Sequence, residues 1–234
     1  MKELHHSQLS EQELTMLERR LKTKLKPYPD KLKYDMPDHG FDFDPVSLLI
    51  DESERCLLVG RINGELATPR IMTIEDGELK QRPAFSEHCR GKLETAEGYA
   101  TKKIVRLHPY EGKRYELIAD IIDNDALELN IELRVSRRER TVMTYDTSTQ
   151  QFIIDRTDSS LSTVEDFKRV ITLHAPLTSL HCFVYEHTIE IFINDGEAVM
   201  STYINTTDDA DGIRASALRG QVYLKLSKYD LSEV

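Results

Sequence analysis

A chain of 234 residues is long enough to bury one sizeable core with accessory pieces, and 39% hydrophobic with 31% charged residues lies far from the composition of disordered segments. With 41 acidic against 31 basic residues the net charge is −10. That balance excludes a nucleic-acid backbone or an anionic membrane surface as the expected partner, because both need clustered Lys and Arg, whereas a neutral ligand such as a sugar is compatible.

Residues 7–25 predict a helix: Ser10 with Glu13 three positions on forms a capping box, and Leu14, Leu17, Leu21 and Leu25 recur on one face. Pro27 and Pro29 stop it. A stripe this narrow lies on the body of the protein or pairs with a second copy, and packing on its own chain is the expectation. From residue 46 the pattern alternates, with turn residues between short runs, so an all-β body follows the helix. Residues 46–82 form a short β region of about four strands, and the polar stretch from Ser86 to Thr101 separates it from the rest. Strands are then expected at Tyr115–Ile121, Leu127–Val135, Thr141–Tyr145, Gln151–Asp155, Leu180–Val184, Ile189–Ile193, Ala198–Ile204 and Val222–Leu226, one face buried and one wet. Such regular amphipathic strands predict two antiparallel sheets packed face to face, a β-sandwich. Asn194-Asp195-Gly196 between two of them predicts a tight hairpin, since Asn and Gly tolerate positive φ.

Arg134 to Arg140 holds four arginines interrupted by Glu139 and reads as a solvated loop, the alternative being an anion site. No apolar run reaches the length of a membrane span, and Met1-Lys2-Glu3-Leu4-His5-His6 is not a signal core, so a soluble, cytoplasmic protein is expected. Cys56, Cys89 and Cys182 have no C-x-x-C spacing and read as buried reduced thiols. His5-His6 is terminal. His39, His88, His108, His174, His181 and His187 are scattered, and although His181 and His187 flank one turn and could meet across it, a pair without a carboxylate or thiolate is a poor metal site. No metal and no cofactor is expected. Tyr185, Tyr203 and Tyr223 would suit sugar stacking if they formed an exposed row, but strand packing explains them first.

Ile189 to Val199 resembles the closing hairpin of the invertases, levanases and sucrose-6-phosphate hydrolases, glycoside hydrolase family 32. Upstream, Glu132-Leu133-Arg134-Val135, Tyr145-Asp146 and Ile154-Asp155-Arg156-Thr157 resemble that family's sandwich strands in order and spacing. Gly40-Phe41-Asp42-Phe43 resembles its Gly-x-Asp-Phe motif, Leu57 to Gly60 the strand that follows, and Pro69-Arg70 with Asp76 to Pro83 the end of its propeller. The resemblance covers roughly residues 38–205. It implies a helical extension over 1–37, a remnant of the last propeller blade over 38–85 and a C-terminal sandwich over 86–234.

It also implies a retaining β-fructosidase chemistry, which needs one carboxylate as nucleophile and a second as acid/base. The family carries these in a Trp-Met-Asn-Asp-Pro-Asn-Gly type segment and a Glu-Cys pair. This chain has no Trp and no Asn-Asp-Pro, and Arg55, His88 and His181 precede its cysteines. The family's Arg-Asp-Pro is missing too. After Asp42-Phe43 the family's Tyr-Ala is replaced by Asp44-Pro45, and the stretch between Asn63 and Thr68 looks shortened.

No catalytic residue is therefore assigned. Asp38 and Asp42 are the sugar-contact candidates, because that motif lines the family's pocket and carboxylates accept hydrogen bonds from vicinal hydroxyls; Asp38-His39-Gly40 also reads as an ordinary turn. The expectation is a truncated β-fructosidase relative that serves as a non-catalytic carbohydrate-associated or assembly module, self-associating over a surface the propeller would cover. The alternative is the C-terminal part of a β-fructofuranosidase that works only with a catalytic portion supplied by another chain.

Overall fold

The computed structural model describes residues 2–3, 9–29, 33–34, 38–102, 105–162 and 165–231, with the side chains of 2–3, 33–34 and 105–110 excepted. His5 and His6 lie outside the described residues, as does the His108 side chain. A short ladder joins β1 (Lys2–Glu3) to β3 (Lys33–Tyr34), and between them in the chain come α1 (Glu11–Leu21) and β2 (Leu25–Pro27). The helix begins where its capping box predicts: the Ser10 side chain accepts from the Glu13 N–H and the Glu13 carboxylate accepts from Ser10 N at 2.8 Å.

The first large sheet is antiparallel, in the order β2-β4-β5-β7-β8, with β4 at Phe43–Asp51, β5 at Cys56–Ile62, β7 at Arg70–Glu75 and β8 at Glu78–Pro83. A two-residue strand, β6 (Glu65–Leu66), folds back on β5. The leucine stripe of α1 lies on one face of this sheet, where Leu17 is fully buried against Leu25, Leu49, Leu57 and Val59. The helix thus packs on its own chain, and because β2 pairs with β4, residues before 38 contribute both a strand and a cover to the blade-like unit.

Two further sheets make the sandwich. One has the order β18-β17-β16-β11-β20-β9, built from β9 (Arg90–Ala100), β11 (Tyr115–Asn124), β16 (Ser179–Val184), β17 (Thr188–Ile193), β18 (Ala198–Tyr203) and β20 (Val222–Leu231). The other has the order β10-β19-β12-β13-β14-β15, from β10 (Val105–Glu111), β12 (Glu128–Val135), β13 (Thr141–Asp146), β14 (Gln151–Asp155), β15 (Lys168–Thr172) and β19 (Gly212–Leu218). Their inner faces share one core, in which Tyr115, Leu117, Ile131, Phe152, Ile191 and Ile213 are buried. The mainly β, antiparallel architecture read from the alternation is the one observed.

The departures have physical causes. Ser86–Thr101, read as a polar separator, contains the 11-residue strand β9. It is the sheet's edge and leaves Leu93, Thr95, Glu97 and Tyr99 exposed, while the opposite face carries Glu94, Ala96 and Gly98, so no apolar alternation marks it. Arg134 is not in a solvated loop: its backbone takes φ 52° at a bulge in the β12–β19 ladder, and the buried guanidinium donates from Nε to Ala210 O at 2.7 Å and from Nη1 to Glu186 O at 2.8 Å. Arg137 and Arg138 of the same stretch are exposed.

His181 and His187 do not meet across their turn. His181 Nε2 lies 2.6 Å from Glu116 Oε1, while His187 packs on Tyr203. Nor do the three tyrosines form a row. Tyr185 accepts from Arg20 of α1 at 2.7 Å, Tyr203 faces His187, and Tyr223 meets Tyr99 edge to face. Cys89 and Cys182 are buried, as expected, whereas Cys56 is only half-buried; burial pushes the thiol of Cys56 to about 11 and that of Cys182 to about 12.

Two outcomes are expected. Leu17→Ala should cost about 2–5 kcal/mol through the cavity it leaves under α1, read as a lower urea midpoint at unchanged slope. Glu116 ties β9 to β11 and β16: burial raises its carboxyl, but hydrogen bonds from Arg90 and His181 outweigh that and hold it below the ordinary 4.5. Its ionised form therefore contributes stability that is present above pH 4.5 and is lost as pH falls through the lowered value. The gap in unfolding free energy between the native chain and Glu116→Gln should shrink on acidification from about pH 6 to about pH 3. A gap constant with pH would show that the pair is not linked to folding.

Candidate functional site

The segment that carries both sugar-contact candidates runs along the open edge of β18. His39 N donates to Val199 O and Phe41 N to Ser201 O, each at 2.8 Å, which are the bonds of an added strand. Gly40 sits between them because a Cβ there would lie 2.0 Å from the Ser201 carbonyl oxygen.

The carboxylate of Asp38 is filled by protein donors. Oδ1 accepts from Gly40 N at 2.7 Å and Ser201 N at 3.0 Å, and Oδ2 accepts from Ser201 Oγ and Arg70 Nη2, both at 2.7 Å. Asp42 is turned to the other side, where Oδ2 accepts from Tyr203 N at 2.8 Å and from Arg156 Nη1. The two phenylalanines between and beside them each lie under a guanidinium, Phe41 under Arg156 and Phe43 under Arg70, both 3.7 Å from the ring centroid. The structure thus brings Asp38 and Asp42 onto one short segment, and binds both to the sandwich.

Arg70 links this segment to the rest. Its side chain is fully buried, bonded to Asp38, 2.9 Å from Ser201 Oγ and 3.5 Å from Glu190 Oε2. Glu190 of β17 is itself fully buried and accepts the Thr68 N–H at 2.7 Å. Burial pushes its carboxyl above the usual range despite the nearby Arg70. On the outer side Arg82 of β8 grips Asp195 through Nε at 2.8 Å and Nη2 at 2.7 Å. There the turn Asn194-Asp195-Gly196 has φ of 47°, 55° and 89°, the expected positive values. A Cβ at Gly196 would come within 2.4 Å of Gln81 O, so the turn is also the place where blade and sandwich backbones touch.

Chemically this is a clamp. Hydrolysis with retention needs two carboxylates facing each other across a sugar, one with a raised pKa. Glu190 has the raised value but is enclosed by Thr68 and Arg70. Among the described residues no three His, Cys, Asp or Glu converge on a metal position, and no helix is long and apolar enough to cross a membrane. Arg70, Glu190 and Arg156 escaped sequence reasoning as partners of the motif. A fully apolar-flanked Glu190 in a strand with both faces buried was the available signal.

Residues 86–231 match the sequence profile described as "Glycosyl hydrolases family 32 C terminal". A curated sucrose-6-phosphate hydrolase from Staphylococcus xylosus is 43% identical over 211 residues, covering 83% of this chain and 43% of the relative; one from Vibrio alginolyticus is 26% identical over 183 residues, covering 71% and 35%. The chain therefore spans less than half the length of these relatives. Among solved structures, sucrose-6-phosphate hydrolase from Lactobacillus gasseri superposes with a TM-score of 0.68 at 18% identity, covering 84% of this chain and 42% of that one. Fructan 1-exohydrolase IIa from Cichorium intybus gives 0.70 at 12%, covering 87% and 50%. The first resemblance shows kinship in sequence, the second the shared fold, and together with the profile match they establish that this chain belongs to glycosyl hydrolase family 32.

Proposed function

We propose that these residues act as a non-catalytic, carbohydrate-associated or assembly module of the sucrose-6-phosphate hydrolase type, in which the blade-like sheet is locked to the sandwich. The observation that carries this reading is the saturation of both Asp38 oxygens by Gly40, Ser201 and Arg70, with Asp42 Oδ2 held by Tyr203 and Arg156. Carboxylates whose lone pairs already face protein donors serve as anchors, and a sugar hydroxyl would have to displace buried bonds to reach Asp38. The three-part division at 37/38 and 85/86 belongs to the same proposal, with the first two parts cooperating in one sheet. The partners it calls for are a fructoside or other sugar and a second protein chain, another copy or a catalytic one. The place of action it calls for is the cytoplasm.

A second reading is favoured by the 43% identity to the Staphylococcus xylosus enzyme: the module completes a β-fructofuranosidase whose catalytic portion comes from another polypeptide. The two separate in one assay. The purified chain should release no fructose from sucrose or sucrose 6-phosphate, and release at the rate of a sucrose-6-phosphate hydrolase would overturn the first reading. Activity that appears only on adding a polypeptide with the family's catalytic segments would establish the second.

The clamp has its own test. Arg70→Met should destabilise the chain by roughly 3–5 kcal/mol, because it strands Asp38 and Glu190 as buried carboxylates without a cation. Asp42→Asn, at the more exposed anchor, should cost less. Affinity for sucrose or fructose that falls in Asp38→Asn at unchanged stability would show instead that these carboxylates touch sugar.

A further inference from the structure

β9 is the longest strand of its sandwich sheet and lies at the edge, where among the described residues no strand pairs with its outer side. Elsewhere the sandwich protects its edges. Residues 39–41 bond along β18, and β15 is five residues long and opens on Lys168 and Arg169. β9 holds no proline, and its ladder with β20 runs in unbroken register from Leu93 to Glu94, Thr95 and on to Ala100. Its charges are engaged within its own sheet: Lys92 pairs with Glu94 at 2.7 Å, Glu94 also meets the buried Lys228 at 3.2 Å, and Glu97 stands opposite Lys225 of β20. A long, regular edge whose charges are already paired is a template for another strand.

The side chains say which strand. On the outward face Leu93 is 49% and Tyr99 50% exposed, with Thr95 and Glu97 between them, while the inner face carries the small residues Ala96 and Gly98. Behind them on β20, Tyr229 stands opposite Leu93, and Tyr223 stands opposite Tyr99 with the rings edge to face at 4.9 Å. Two apolar rows therefore run out to the edge, and a polar stretch separates them.

We infer that β9 is the seam of a two-fold homodimer, in which it pairs antiparallel with β9 of a second copy and joins two six-stranded sheets into one. A two-fold axis normal to the sheet keeps both outward faces on the same side, so the axis passes through a residue and each side chain meets one of its own face. Centring the pair on Glu94 or Glu97 sets a carboxylate against its own copy, and centring it on Thr95 sets Leu93 against Glu97. Centring it on Ala96 sets Leu93 opposite the partner's Tyr99 and Thr95 opposite the partner's Glu97. Tyr229 and Leu93 then continue into the partner's Tyr99 and Tyr223, Ser227 and Thr95 continue into the partner's Glu97 and Lys225, and symmetry repeats both rows. Apolar side chains meet apolar ones and no like charges are opposed, as cross-strand pairing requires. The seam gives the second chain of the assembly reading an identity, another copy, and rests on that reading only there. It lies at the far edge of the sheet from β18 and the clamp.

Light scattering on the full chain should give twice the chain mass of 27.0 kDa. In Leu93→Asp/Tyr99→Asp two carboxylates oppose each other at two places along the seam, so dimerisation should weaken about tenfold or more at an unchanged far-UV spectrum. The register has a test that does not depend on that variant. A mixture of Leu93→Cys and Tyr99→Cys chains should be joined by a short bismaleimide, whereas either variant alone should give no more cross-linked dimer than the native chain. A monomer at about 100 μM, well above a weak Kd of about 10 μM, overturns the inference. So does a dimer undiminished in the double Asp variant, or cross-linking of Leu93→Cys alone as complete as in the mixture. Fructose release enters none of these measurements, so the seam and the function proposed above can fail separately.

Discussion

The fold turns on a guanidinium that has no access to water. Arg70 stands between Asp38 and Glu190, fully buried, so its charge must be balanced from inside the protein. The two carboxylates come from different parts of the chain: Asp38 from the segment that enters the blade-like sheet, Glu190 from β17, the strand next to β18 in a sandwich sheet. The cation itself comes from β7 of the blade. Removing any one of the three while the others stay buried would leave an uncompensated charge, so the match between blade and sandwich must be complete. Ordinary packing surrounds this contact, with Phe85 against Phe183 at 5.0 Å and Phe192 close by, but the charges set which surfaces may meet.

The same constraint explains why the family's Gly-x-Asp-Phe segment persists here in altered company. Each residue of Gly40-Phe41-Asp42-Phe43 has a packing role. Gly40 admits the Ser201 carbonyl, the two rings lie under Arg156 and Arg70, and Asp42 holds Arg156 and the Tyr203 amide. A short motif can thus be retained by the architecture that it helps to assemble.

Much of the fold was legible in the sequence. Period-two alternation marks β12, β13 and β14 because each buries one face, and Ser10 with Glu13 marks the helix start because its bonds are local. The Asn194 turn was legible for the same reason, three residues that tolerate positive φ. What was hidden depends on distant partners or on edges. β9 pairs on one side only and buries nothing before Ala100, so it shows no apolar period. Arg134 sits in a basic stretch and is buried because carbonyls of residues 185, 186 and 210 converge on it. The role of Asp38 and Asp42 as anchors rests on Ser201 and Tyr203, more than 160 positions later, and no local pattern can announce such a pairing.

That separation also bears on how the chain emerges from the ribosome. β18 would otherwise be a bare sheet edge, with unpaired N–H and C=O groups able to recruit a strand from a neighbouring molecule. Residues 38–42 occupy that edge, and they are synthesised long before it exists. When Ala198–Tyr203 leaves the exit tunnel its cover is already outside and tethered to the growing chain, so the edge need never wait for protection. The order of elements along the gene works here as a safeguard against aggregation during synthesis.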